Sequence, residues 1–70
     1  MKKVERCVKL ALLYREKPQA AFTSDELAQR FDTPRYTIVR DLHDLSRTGI
    51  LPLVWSRGKW MLLQRLELLI

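Results

Sequence analysis

The sequence predicts a small, mainly α-helical domain that ends in a β-hairpin. Three observations lead to this fold class. Apolar residues recur at three- and four-residue steps in three successive stretches, which is the pattern of amphipathic helices. Pro18, Pro34 and Gly49 separate or end these stretches, as helix-breaking residues do. Two short apolar stretches then follow on either side of a turn containing Gly58, which indicates a hairpin.

The length and composition predict one domain over residues 1–70. The chain is 47% hydrophobic and 30% charged, with two glycines and three prolines, so it has buriable surface but too few residues for two cores. No apolar run approaches the roughly 20 residues of a membrane span. Cys7 is the one cysteine, which excludes an internal disulfide and a cysteine-rich zinc site. We therefore expect a cytoplasmic protein with no metal, no cofactor and no membrane partner.

The first helix is predicted over residues 2–16. Pro18 ends it, because the residue before a proline is pushed out of the α region. Leu10, Leu12 and Leu13 widen its apolar arc. The residues expected to face inward recur at helical spacing and are Val4, Cys7, Val8, Ala11 and Tyr14.

A short extended segment at residues 20–22 leads into the second helix, predicted over residues 24–31. Thr23 and Glu26 have the spacing of a capping box, in which each side chain bonds the backbone amide of the other residue. Leu27, Ala28 and Phe31 are expected to face inward.

The third helix is predicted over residues 34–48, after a tight break at Asp32. Pro34 suits the first helical position and Thr33 is expected to cap it, while Gly49 provides the left-handed residue that ends it. The residues on its inward face are expected to be Ile38, Leu42 and Leu45.

The hairpin is predicted over residues 51–63, with strands at about 51–55 and 59–63. Trp55 and Trp60 are expected to form a cross-strand pair that covers the core. Residues 64–70 form an apolar tail whose sequence fits either a strand or a helix. The order of helix, short strand, two helices around a tight turn and a basic hairpin describes a winged helix-turn-helix.

The third helix and the hairpin also resemble a known family. The residues that carry the resemblance are Thr37-Ile38-Val39-Arg40-Asp41-Leu42, Leu45, Gly49-Ile50 and Pro52-Leu53. They are similar to the winged helix-turn-helix at the N-terminus of DeoR-type and WYL-domain bacterial regulators, which implies DNA binding and transcription regulation. Those regulators carry a large ligand-binding domain after the wing, whereas this sequence stops at Ile70. The starting Met1 favours an autonomous small regulator over a fragment, and no small-molecule effector is evident.

Charge and helical geometry predict which residues meet DNA. Thirteen Lys and Arg against eight Asp and Glu give a net charge of +5, which favours polyanions. On a helical wheel, the residues that lie opposite Ile38 are Tyr36, Arg40, His43 and Arg47, and Thr37 and Asp44 flank them. Arg40 is expected to bond a guanine edge, and Asp41 to hold an arginine in place. The predicted DNA contacts are Arg35, Tyr36, Thr37, Arg40, His43, Arg47, Arg57 and Lys59.

Other interpretations of the same residues stay open. The polar side of the third helix can be an ordinary solvated face, and Arg57 and Lys59 can be solubilising edge charges. An enzyme is not expected, because the chain has one histidine, one cysteine and no glycine-rich phosphate loop.

The function predicted from the sequence is sequence-specific binding of double-stranded DNA by a repressor-like regulator. The alternatives are an architectural factor, such as a phage excisionase, and a winged-helix module that binds another protein. A homodimer is expected, because one helix and one wing cover only a few base pairs. Its predicted interface is formed by the apolar tail, through Leu66, Leu68, Leu69 and Ile70, with the surplus leucines of the first helix as a further contribution.

Overall fold

The computed structural model describes residues 2–63, which fold as three helices and a small antiparallel sheet. Because the domain is mainly helical and ends in a hairpin, the predicted winged helix-turn-helix class is confirmed. The elements in chain order are α1 (Lys3–Glu16), β1 (Ala21–Phe22), α2 (Ser24–Arg30), α3 (Arg35–Thr48), β2 (Leu53–Ser56) and β3 (Lys59–Leu62).

The sheet has the strand order β1-β3-β2, and all neighbours are antiparallel. Arg57 and Gly58 join β2 to β3, and both have positive φ, at 54° and 78°. Positive φ at both central residues is the requirement of the two-residue turn that matches the twist of a hairpin. Phe22 of β1 pairs with Trp60, so the short strand after α1 becomes the third strand of the wing, a pairing that the sequence did not predict.

Trp60 lies at the centre of the packing. Its ring is buried, its indole Nε1–H donates to Ser24 Oγ at 3.1 Å, and its carbonyl accepts from the Tyr14 hydroxyl at 2.8 Å. Burial raises the pKa of Tyr14 to about 12. These two bonds fasten β3 to α2 and to α1. The apolar side chains buried around it are Leu10, Leu13, Leu27, Phe31, Ile38, Leu42, Leu45, Leu51 and Leu53.

The inward face predicted for α1 is wrong at two positions. Val4 is 74% exposed and Val8 is 52% exposed, whereas Leu10 and Tyr14 are fully buried. The apolar arc of α1 is wide enough for two orientations. The one observed brings Tyr14 to the Trp60 carbonyl and Arg6 to α3, and neither bond could form with Val8 at the centre of the buried face.

The capping predictions have different outcomes at α2 and α3. The Thr23–Glu26 capping box is present, with both reciprocal bonds formed, and its backbone bond lowers the pKa of Glu26. The predicted Thr33 cap of α3 is wrong. Pro34 occupies the cap position with ψ of 145° and offers no side-chain acceptor. The Thr33 hydroxyl instead donates to the Phe31 carbonyl at 2.8 Å, because Thr33 completes the turn that closes α2.

The remaining bounds differ from the predicted ones by one or two residues. Asp32 has φ of 49° and Gly49 has φ of 83°, as the left-handed positions predicted there require. Leu51 is buried but precedes β2, and its amide donates to the Leu45 carbonyl at 3.2 Å. This bond folds the chain back from α3 into the wing.

Candidate nucleic-acid interface

The outward face of α3 presents Tyr36, Arg40 and Arg47 to solvent. Tyr36 is 70% exposed, whereas Ile38 and Leu42, on the opposite side of the helix, are fully buried. Within the part of the chain that the structure describes, Arg40 has no hydrogen bond or ion pair. Its guanidinium therefore projects from the centre of α3 with all its donors available.

The side of α3 next to α1 is anchored by ion pairs. Arg6 Nε donates to Asp41 Oδ2 at 2.6 Å, and the Asp41 side chain is 1% exposed. Asp44 accepts from Lys3 at 2.5 Å and from Arg47 at 2.7 Å. The bond from Lys3 lowers the pKa of Asp44, and the same bond raises the pKa of Lys3.

These pairs have an electrostatic consequence for the interface. The two carboxylates of α3 are both matched by cations, two of which come from α1. The expectation that Asp41 holds an arginine is therefore met by Arg6. Because Asp41 and Asp44 are neutralised in this way, the outward face around Arg40 keeps a positive charge.

The side of α3 next to the wing forms an aromatic cleft. Its volume is about 340 Å³, and it is lined by Ser24, Arg35, Val39, His43, Trp55 and Trp60. The His43 ring meets the Trp60 ring edge-on, with centroids 5.1 Å apart, and Trp55 packs on Trp60 at 5.2 Å. Trp55 is half exposed whereas Trp60 is buried. In the predicted tryptophan pair, Trp60 therefore packs in the core, and both rings line the cleft.

The tip of the wing carries two exposed cations. Arg57 and Lys59 flank Gly58, and both side chains lie in solvent. No ion pair involves either residue among residues 2–63. The tip can therefore offer both charges to an anionic partner.

The eight sequence-predicted contacts divide into four groups. Tyr36, Arg40 and Arg47 share the outward face. Arg35 and His43 are exposed but lie toward the wing, where Arg35 faces Asp25 at 3.6 Å. Thr37 is half-buried on the side of α1. The fourth group is the pair at the wing tip, Arg57 and Lys59.

Val39 and Lys3 also belong to this surface, and neither was among the predicted contacts. Val39 lies four residues from Arg35 and from His43, a spacing that places all three on one side of α3. Nothing in the sequence pairs Lys3 with Asp44, which is 41 residues away.

Among residues 2–63, no three His, Cys, Asp or Glu side chains come together in a way that could hold a metal ion. Over the same range, no helix has the length and apolar character of a membrane span.

Comparison with known protein families gives a match over most of the chain. A family model described as an HTH domain matches residues 8–59, from the middle of α1 to the first residue of β3. The match covers 52 of the 70 residues, including all of α2 and α3. No curated protein and no solved structure matches the chain.

Proposed function

The chain belongs to the HTH domain family and is a helix-turn-helix DNA-binding domain, and from that premise we propose that it is a sequence-specific regulator of transcription. In this proposal α3 enters the major groove of double-stranded DNA, and the wing contacts the adjacent backbone. The observation that carries the proposal is the outward face of α3. There Arg40, which has no hydrogen bond or ion pair within residues 2–63, stands beside Tyr36 and opposite the buried core.

Arg40 is the residue that we propose reads sequence. The major groove is about 12 Å wide and admits one helix. An arginine that projects from the middle of that helix reaches base edges, and its fork of donors matches guanine O6 and N7. Tyr36, one turn earlier, is in position to contact a phosphate or a thymine methyl group. Arg47, held by Asp44 at 2.7 Å, is proposed to contact the backbone at the far end of the helix.

The other contacts are proposed to supply affinity rather than sequence preference. Arg57 and Lys59 at the wing tip, and Arg35 at the start of α3, are placed to bind phosphates. His43 and Thr37 flank the reading face. If each protomer neutralises about 4–6 phosphates, the logarithm of the binding constant falls with log salt at a slope of about −4 to −5.

The finer identity of the regulator is also a proposal. The resemblance of residues 37–42 to DeoR-type and WYL-domain regulators supports a repressor-like role without catalytic activity and a place at the nucleoid. An architectural factor such as a phage excisionase uses the same surface, and selective affinity for a recombination site rather than a promoter would identify one. We propose that the protein acts as a homodimer. The interface predicted at Leu66, Leu68, Leu69 and Ile70 lies outside the described residues.

Selection of bound sequences from a random duplex library, followed by anisotropy titration, tests the proposal. We expect one enriched motif and the steep salt slope above. Arg40→Ala is expected to weaken binding to the selected duplex by about 1–3 kcal/mol and to relax sequence preference at one base pair. Lys17→Ala, which removes the same charge from the end of α1, is the matched control and should leave the motif unchanged.

Two results would contradict the proposal. If Arg40→Ala weakened binding to the selected and the scrambled duplex equally, Arg40 would be a backbone contact, and other residues would read the bases. Absence of duplex binding at a salt concentration of about 50 mM would remove DNA recognition altogether. That second result would favour a winged-helix module that binds another protein.

A further inference from the structure

Helix α1 carries an exposed apolar strip that the core of the described residues does not use. Val4, Val8 and Leu12 follow one another at four-residue steps and are 74%, 52% and 50% exposed. Residues at this spacing form one continuous ridge along a helix. The half-buried Ala11 borders the ridge, and its small side chain permits close approach by another helix.

The strip faces away from the proposed DNA-binding surface. Arg6 and Lys3 are the residues of α1 that form ion pairs with α3. At 100° per residue, both lie roughly 140–160° around α1 from Val8. A partner seated on the strip would therefore leave Tyr36 and Arg40 free to meet DNA.

We propose that the occupant of this strip is the α1 helix of a second copy of the chain, packed antiparallel about a two-fold axis near Val8. In that arrangement Val8 meets Val8 of the second copy, and Val4 meets its Leu12. This inference rests on the proposed function, since it names the partner surface of the proposed homodimer.

The charges beside the strip select this partner and this orientation. Glu5 and Lys9 are exposed on the same flank, and neither makes an ion pair among residues 2–63. A two-fold axis that relates antiparallel helices places equal flanks side by side. Glu5 therefore comes within about two residues, roughly 3 Å along the axis, of Lys9 of the second copy, and Lys9 meets its Glu5. In a parallel pair of helices, the Glu5–Lys9 flanks of the two copies would lie on opposite sides of the interface, and neither ion pair could form.

The size of the surface sets the expected strength. One ridge of three side chains with two flanking ion pairs buries less than the about 800 Å² per partner of a standard interface. The dimer is accordingly weak, and we expect it to form between about 20 µM and about 500 µM chain, or at lower concentration on DNA that offers two half-sites.

Sedimentation of the full chain without DNA tests the interface through exchanged charges. Glu5→Lys and Lys9→Glu each place like charges across both contacts, and each is expected to raise the dimer dissociation constant about tenfold. The double variant Glu5→Lys with Lys9→Glu, and an equimolar mixture of the two single variants, restore opposite charges and should restore dimers. Val8→Glu should abolish the dimer, whereas Ile50→Glu is the matched control at an exposed apolar residue outside the strip and should not.

Three results would overturn the inference. They are a wild-type chain that stays monomeric to about 500 µM and on two-site DNA, a Val8→Glu variant that dimerises like wild type, and failure of the exchanged charges to restore dimers. Circular dichroism confirms that each variant is folded. Titration with DNA that carries a single half-site separates the two proposals. If only the dimer proposal fails, the chain still binds the half-site. If only the proposed function fails, the chain still dimerises but does not bind the half-site.

Discussion

Removal of the Asp41 carboxylate is expected to destabilise the domain more than any other single loss of charge in the described residues. Asp41 is 1% exposed and bonds Arg6, whose side chain is 13% exposed. Breaking a buried pair costs about 3–5 kcal/mol, because the remaining charge loses its counter-charge in a poorly solvated site. Arg6 retains some contact with water, so we expect Asp41→Ala to lower the free energy of unfolding by about 2–3 kcal/mol.

This loss is large for so small a domain. At about 0.05–0.15 kcal/mol per residue, a chain of this size has a free energy of unfolding of about 4–10 kcal/mol. The substitution therefore removes between about a fifth and about three quarters of the free energy of unfolding. The expected fall in Tm is about 10–20 °C.

Urea unfolding followed by tryptophan fluorescence and circular dichroism measures the effect. The matched control is Asp25→Ala, which removes a carboxylate 3.6 Å from Arg35 where both side chains are mostly exposed, and it should cost less than about 0.5 kcal/mol. A cycle of Arg6→Ala, Asp41→Ala and the double variant isolates the coupling between the partners. A coupling below about 0.5 kcal/mol, or equal losses at Asp41 and Asp25, would refute the argument that this pair anchors α3.

Three further predictions concern the glycine that ends α3, the buried tyrosine and the pH dependence of stability. Gly49→Ala should lower the free energy of unfolding by about 1 kcal/mol. The cost comes from backbone strain at φ of +83°, since no atom lies within 4 Å of an added Cβ. Gly49→Asn should cost less, and an Ala variant that melts at the same temperature as wild type would contradict the strain. Tyr14→Phe removes the 2.8 Å bond to the Trp60 carbonyl and should cost about 1 kcal/mol in urea unfolding, whereas an unchanged midpoint would show that bond to be dispensable. The pKa values of Asp44 and Glu26 are lowered in the folded state, so the stability that these carboxylates contribute is present above their unfolded pKa and is lost as pH falls through the folded values. Thermal melts from pH 7 downward check this. In the Asp44→Asn variant, the fall in stability at low pH should be smaller than in wild type.

The sequence by itself determined the features that depend on neighbouring residues. Helix periodicity, the Thr23–Glu26 capping box and the left-handed Gly49 follow from interactions within a few residues, so the residue types at those positions were sufficient. The placement of Arg40 opposite Ile38 is equally local, because it follows from 100° of rotation per residue. The Thr33 cap was the local prediction that failed, since Thr33 bonds backward to Phe31 and not forward to α3.

Only the tertiary structure decided the features that join distant residues. Arg6 and Asp41 are 35 residues apart, and Tyr14 and Trp60 are 46 apart. No pattern within a window of the sequence pairs such residues, because the packing of whole elements against one another brings them together. The same packing selected which of two apolar arcs of α1 became buried. It left Val8 exposed, where the local pattern had placed it in the core.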